Sequence, residues 1–112
     1  MTFYEYRVYD VAPGKMPAVH KRFADPGVRL LEKYGFTLVG VWQTSVGDLN
    51  QLHEIFEWPD LDARARAGAA FGLDEEWRRV SAEAEQDGPL LLRMRNQIWK
   101  KTEYSPTPRG ER

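Results

Sequence analysis

The sequence contains no cysteine, which excludes disulfide bridges, thiolate nucleophiles and cysteine-ligated metals. An unstapled intracellular chain is the simplest reading, so a cytoplasmic location is expected. Charge of one sign is missing too: 16 Lys and Arg stand against 17 Asp and Glu, for a formal net charge of −1. With both signs interspersed, the chain lacks the basic footprint of a nucleic-acid binder or of a protein held on an anionic membrane. No apolar run is long enough to span a bilayer, and Met1 leads into a strand-like stretch, not a signal peptide. There is no phosphate-cradling glycine loop, nucleophile elbow or GxGxxG. His20 and His53 are the only histidines, with neither HxH nor HxxxH spacing. We therefore expect no metal and no organic cofactor.

Aromatic residues are abundant instead: four Trp, five Tyr and five Phe in 112 residues. Side chains of that size either bury a great deal or line something. A chain of this length forms one domain and buries roughly two thirds of its unfolded surface without staples. We place that domain at 1–103, followed by a Pro-containing tail, 104–112, that is either disordered or laid on a neighbour.

The organising stretch is FTLVGVWQTSVGDLNQLHEIFEWPD, residues 36–60. Two β-branched and aromatic runs, Phe36–Thr44 and Gln51–Trp58, flank a polar turn with Gly47 at its centre, which reads as a β-hairpin. Thr2–Val11 reads as a strand ended by Pro13-Gly14, and Leu90–Thr102 as a last strand. Lys15–Tyr34 has helical spacing interrupted at Asp25-Pro26-Gly27, predicting two helical pieces with a break near Pro26. Asp60 and Asp74 are N-cap residues for two further helical runs, with Leu61, Ala65 and Phe71 inward on the first and Arg64 and Arg66 in water. The order β-α-β-β-α-β is the ferredoxin-like, split-βαβ arrangement of the α+β class. It has a four-stranded antiparallel sheet, helices on one face and the first and third strands central.

The face without helices should be polar in a monomer, yet both faces of the hairpin carry large apolar groups. A second copy closing sheet against sheet is the remedy, so a homodimer is expected. In the first strand Tyr4, Tyr6 and Val8 are assigned to the helices, which leaves Glu5, Arg7 and Tyr9 facing the partner. In the hairpin Val39, Val41, His53 and Ile55 are assigned to the helices, leaving Gly40, Trp42, Thr44, Glu54, Phe56 and Trp58 toward the partner.

The segments YEYRVYDVAPGK, LVGVWQTSVGDLNQ, WPDLDARAR and EYSP resemble the NIPSNAP family, in order and over nearly the whole chain. That resemblance implies a dimeric α/β barrel. Related barrels include cofactor-free monooxygenases, polyketide cyclases, haem-degrading enzymes, isomerases and decarboxylases, and fold alone does not choose among them. In LNQLHEIFEWPD this chain carries Glu54 and Phe56 where many relatives carry His and Trp, so a histidine role at that position does not transfer.

The chemistry-bearing residues follow from the pattern. Arg7 and Glu54 lie on neighbouring central strands with Glu5 alongside: either a guanidinium anchor and a general base, or an ion pair that neutralises a tight interior. Tyr9, Trp42, Phe56 and Trp58 either line a pocket for a small, flat, apolar or aromatic ligand or form a packed core. His53 has the right chemistry for proton transfer but falls with Ile55 on the side assigned to helices, while His20 falls on the polar flank of the first helix. One outcome is a cofactor-free monooxygenase, cyclase or isomerase, with Arg7, Glu54 and His53 catalytic and Glu5, Tyr9, Trp42, Phe56 and Trp58 binding an aromatic or polyketide-like compound. The alternative is a non-catalytic binding or assembly module with a filled interior.

Overall fold

A computed structural model describes residues 2–106 of the chain. The strands are β1 (Phe3–Val11), β2 (Thr37–Gln43), β3 (Gln51–Trp58) and β4 (Leu91–Trp99). They form one antiparallel sheet in the order β2-β3-β1-β4, so the first and third strands are central as the sequence predicts. The helices are α1 (Met16–Arg22), α2 (Val28–Lys33), α3 (Leu61–Gly72) and α4 (Glu75–Ala84). All pack on one face, which makes this a ferredoxin-like α+β fold. Among the described residues no helix is long and apolar enough to cross a membrane. Most of the Pro-containing tail lies outside the described residues.

Local chemistry sets the element boundaries. Asp25 is extended at φ −158° and ψ 121°, and the Asp25–Pro26 peptide is cis. The helical run is thus broken at Phe23–Gly27, where the Asp-Pro-Gly sequence predicts. The carboxylate of Asp60 accepts from the Ala63 amide at 2.7 Å, and that of Asp74 from the Trp77 amide at 2.7 Å. Each satisfies an amide that the first helical turn leaves without a partner. Gly47, at φ 116°, turns the hairpin through a conformation that side chains rarely adopt.

On β1 and β3 the assignment of sheet faces is the reverse of the expected one, whereas Gly40, Trp42 and Thr44 of the hairpin lie on the helix-free face as expected. Glu5, Glu54, Phe56 and Trp58 are fully buried under the helices, with the partly buried Arg7 and Tyr9 on the same face. Tyr4, Tyr6, Val8, His53 and Ile55 occupy the open face. Alternation tells which residues share a face, but not which face lies inside. The helix side takes the larger rings of Phe56 and Trp58, with charges that neutralise one another, and leaves Val39 and Ile55 on the open side. Val41 does lie on the helix side, opposite Glu54, because β2 is bulged. Leu38 pairs with Phe56 while Gly40 pairs with Ile55, so Val39 is an extra residue and the alternation is reset there.

Helix α3 turns differently from the expected orientation as well. Ala67 is buried, with Ala63 and Phe71 packed on the same core, a spacing of four residues; Leu61 is half exposed. Arg64 reaches inward to pair with Glu5 and is only partly exposed.

The core has two parts. One joins Leu31, Phe36, Phe56, Trp58 and Ala67; the other joins Val11, Val19, Leu52 and Leu90. Phe23, at the break between α1 and α2, touches both. Between them the sheet carries Arg7, Tyr9 and Glu54, and the interior is hollow there.

Candidate functional site

Antiparallel register sets the floor of the hollow: Arg7 lies directly opposite Glu54, Glu5 opposite Phe56 and Tyr9 opposite Leu52. These residues share the helix-covered face, and their side chains converge below the break in the first helical run. The cavity measures about 340 Å³. Arg7, Tyr9, Glu54 and Phe56 form its floor, Phe23, Phe71 and Trp77 its aromatic walls, and Arg22, Ser81 and Glu85 its far end. Phe23 lies 6.0 Å from the Tyr9 ring and 6.3 Å from Trp77, and Phe71 lies 4.9 Å from Trp77, so aromatic faces line the wall almost continuously.

Glu5 and Glu54 are both fully buried, and their surroundings are opposite. Glu5 accepts six hydrogen bonds. Arg64 supplies two at 2.9 and 3.1 Å, Arg7 two at 3.0 and 3.2 Å, and Trp58 Nε1 and Asn96 Nδ2 one each at 3.1 Å. Burial alone would raise its pKa, but the Arg64 hydrogen bonds, the Arg7 charge and the Asn96 amide outweigh that and hold it at about 2. Glu5 is a permanent anion tying β1, β3, β4 and α3 together.

Neither carboxylate oxygen of Glu54 has a well-formed hydrogen bond. Burial, with a smaller push from the Glu5 charge, raises its pKa to about 7; the Arg7 charge and the nearby Tyr9 hydroxyl oppose the rise without cancelling it. The Tyr9 hydroxyl is close enough to favour the Glu54 anion, although the pair does not meet the geometry of a formed hydrogen bond. Tyr9 itself is pushed up to about 12 by burial and by the Glu54 charge, so it keeps its proton. It accepts from Arg7 Nη1 at 3.4 Å, which leaves its O–H proton available to donate. Arg7 has its Nε and Nη2 on Glu5 and stacks 5.0 Å from the Phe56 ring.

The other residues singled out in the sequence lie elsewhere. Trp58 is fully buried in the first core cluster as a donor to Glu5, outside the cavity lining. Trp42 is on the open face, half exposed, over Gly40. His53 is on that open face between two hydroxyls, with Tyr6 Oη 2.7 Å from Nδ1 and Thr44 Oγ1 2.6 Å from Nε2. His20 is exposed and bonds Gln43 at 2.7 Å. Sequence reasoning missed Arg22, Phe23, Phe71, Trp77, Ser81 and Glu85. All come from helices or the break between them, and the Asp-Pro-Gly interruption was the one signal that the helix layer opens there.

A four-stranded antiparallel sheet roofed by helices, with an aromatic-walled chamber holding an unpaired carboxylate, defines a ferredoxin-like protein with a ligand-sized interior. The sequence profile described as NIPSNAP matches residues 4–106, and the chain belongs to that family. It is similar in structure to a NIPSNAP-like domain protein from Burkholderia xenovorans, at 30% identity over 95% of this chain and 90% of that one, with a TM-score of 0.83. A NIPSNAP family protein of unknown function from Agrobacterium tumefaciens gives 30% identity, 94% and 92% coverage and a TM-score of 0.82. SnoaB from Streptomyces nogalater, a cofactor-independent oxygenase solved as its N63A mutant, shares the fold at 18% identity, 95% and 98% coverage and a TM-score of 0.59. No curated protein matches the chain in sequence.

Proposed function

We propose that this protein binds a small aromatic or polyketide-like carbonyl compound in the chamber between its sheet and its helices, and moves a proton with Glu54, without a cofactor. The observation that carries this reading is a fully buried carboxylate with no hydrogen bond, aimed into a cavity, with its pKa near neutrality. Leaving such a group unpaired costs several kcal/mol, a cost that folding alone gives no reason to bear. Deprotonated Glu54 takes a proton from the carbon next to the substrate carbonyl. The C–H bond breaks, its electron pair moves onto the carbonyl oxygen, and the proton ends on a Glu54 oxygen. The enolate oxygen is stabilised by the Tyr9 O–H and the Arg7 charge. Isomerisation and cyclisation continue from that enolate, and monooxygenation would add dioxygen as co-reactant. The likeness in fold to a cofactor-independent oxygenase supports this reading at the level of architecture.

Two subunits joined through their open sheet faces complete the α/β barrel in this reading. Val39, Trp42 and Trp99 are 54%, 50% and 40% exposed on that face, an apolar surface that a lone subunit leaves in water. Proton transfer is tested by solvent deuterium exchange into 2-tetralone, a flat aromatic ketone, followed by NMR. The wild type should accelerate exchange, with a rate rising as pH passes about 7, and Glu54→Gln should return it to the buffer rate. A wild-type rate equal to buffer overturns the proton-transfer reading and leaves a binding module.

A further inference from the structure

The chamber has a second polar end that the proton-transfer reading does not use. Among the described residues, the buried side-chain atoms without a hydrogen-bond partner are Glu54 Oε1 and Oε2, Arg22 Nε and Ser81 Oγ. All belong to residues lining this one cavity. Arg22 is 5% exposed, stacks 5.2 Å from the Trp77 ring, and has a single long contact, Nη1 to Glu85 Oε1 at 3.4 Å. Glu85 is itself substantially exposed, so this pair is weak. Arg7 differs, since three of its nitrogens already bond Glu5 and Tyr9. Arg7 therefore contributes charge, whereas Arg22 has an open donor beside the Trp77 ring.

We propose that Arg22 and Ser81 form an anion subsite that takes the carboxylate of the ligand, so that the compound is a flat carboxylic acid whose reactive carbon lies over Glu54. The carboxylate accepts from Arg22 Nε and from the Ser81 hydroxyl, and its aromatic or conjugated body lies among Phe23, Phe71 and Trp77. A buried guanidinium with Nε free favours a planar, bidentate anion over a spherical one. An uncharged ligand of the same shape leaves both donors unpaired and binds more weakly. The proposal rests on the chamber being the ligand site, and it specifies which ligands that chamber selects.

The probes are 2-naphthoate and its neutral isostere 2-naphthamide, titrated calorimetrically into the full-length protein. The acid should bind about tenfold or more tightly than the amide. Arg22→Gln should remove that preference while retaining amide binding, and Ser81→Ala should reduce it about threefold to tenfold. Arg22 is buried, so a second variant guards against misfolding. Glu85→Gln alters an exposed partner and should tighten naphthoate binding by releasing Arg22. Equal affinity of wild type for acid and amide overturns the subsite, as does a preference abolished by Arg7→Gln but not by Arg22→Gln, or no naphthoate binding below about 1 mM. The deuterium-exchange result is read on a neutral ketone, so the carboxylate subsite and the Glu54 role fail separately.

Discussion

At the scale of single residues, the two buried carboxylates act on stability in opposite directions. Glu54 has a folded pKa near 7 against an ordinary 4.5, so the folded state holds a proton the unfolded chain has lost between those values. Stability attributable to Glu54 therefore falls as pH rises from about 4.5 through 7, by at most about 3 kcal/mol. Glu54→Gln should unfold at a higher temperature than wild type at pH 8 and near the same temperature at pH 5, as measured by calorimetric melting. Glu5 runs the other way: with a folded pKa near 2, its contribution is complete above about 4.5 and is lost as pH falls toward 2. Removing its charge strands two guanidiniums, so Glu5→Gln should cost about 3–5 kcal/mol by urea denaturation at pH 7. The sequence places Arg7, Glu5 and Glu54 together because strand register does so. It does not show which carboxylate is satisfied, since Arg64, which supplies two of the Glu5 hydrogen bonds, arrives by tertiary packing of a helix 59 residues away.

At the scale of elements, most boundaries follow from turn and cap chemistry in the sequence. The predicted break at Asp25-Pro26-Gly27, the caps at Asp60 and Asp74 and the turn at Gly47 all appear where that chemistry predicts them. Asp60→Ala should cost about 1 kcal/mol, read as a lower melting temperature with an unchanged circular dichroism spectrum. The bulge in β2 was not legible, because Val39-Gly40-Val41 reads as ordinary alternation. Beside it Gly40 leaves room for the Trp42 ring, since a Cβ there would lie 2.6 Å from that ring. Gly40→Ala should displace that indole and shift its fluorescence, leaving the chamber on the opposite face untouched. The roof was hidden for a related reason. Phe71 and Trp77 look like core positions in any helix, and only the gap between the two hydrophobic clusters makes them walls.

At the scale of the whole molecule, the surplus of apolar surface read in the sequence is present on the helix-free face of the sheet, although β1 and β3 supply it with the residues assigned to the helices. The chamber needs no second copy for its walls, because the chain's own helices line it. Association and ligand binding are therefore separable. In the proposed dimer, Trp42→Glu with Trp99→Glu should give a monomer by sedimentation velocity at about 10 μM while retaining the wild-type naphthoate affinity. A dimer that survives both changes would place the interface elsewhere.

The six-donor knot at Glu5 has one more consequence. It fastens α3 to the three strands β1, β3 and β4, whereas α4 has no buried residue and is held by Trp77 against Phe23 and Phe71, with the Arg22–Glu85 and Arg29–Glu76 pairs at the rim. Backbone amides of α4 should take up deuterium well before those of α3 in mass-spectrometric labelling. In the proposed binding mode, entry to such an interior should be one-sided, beneath α4 and not along the flank fastened at Glu5.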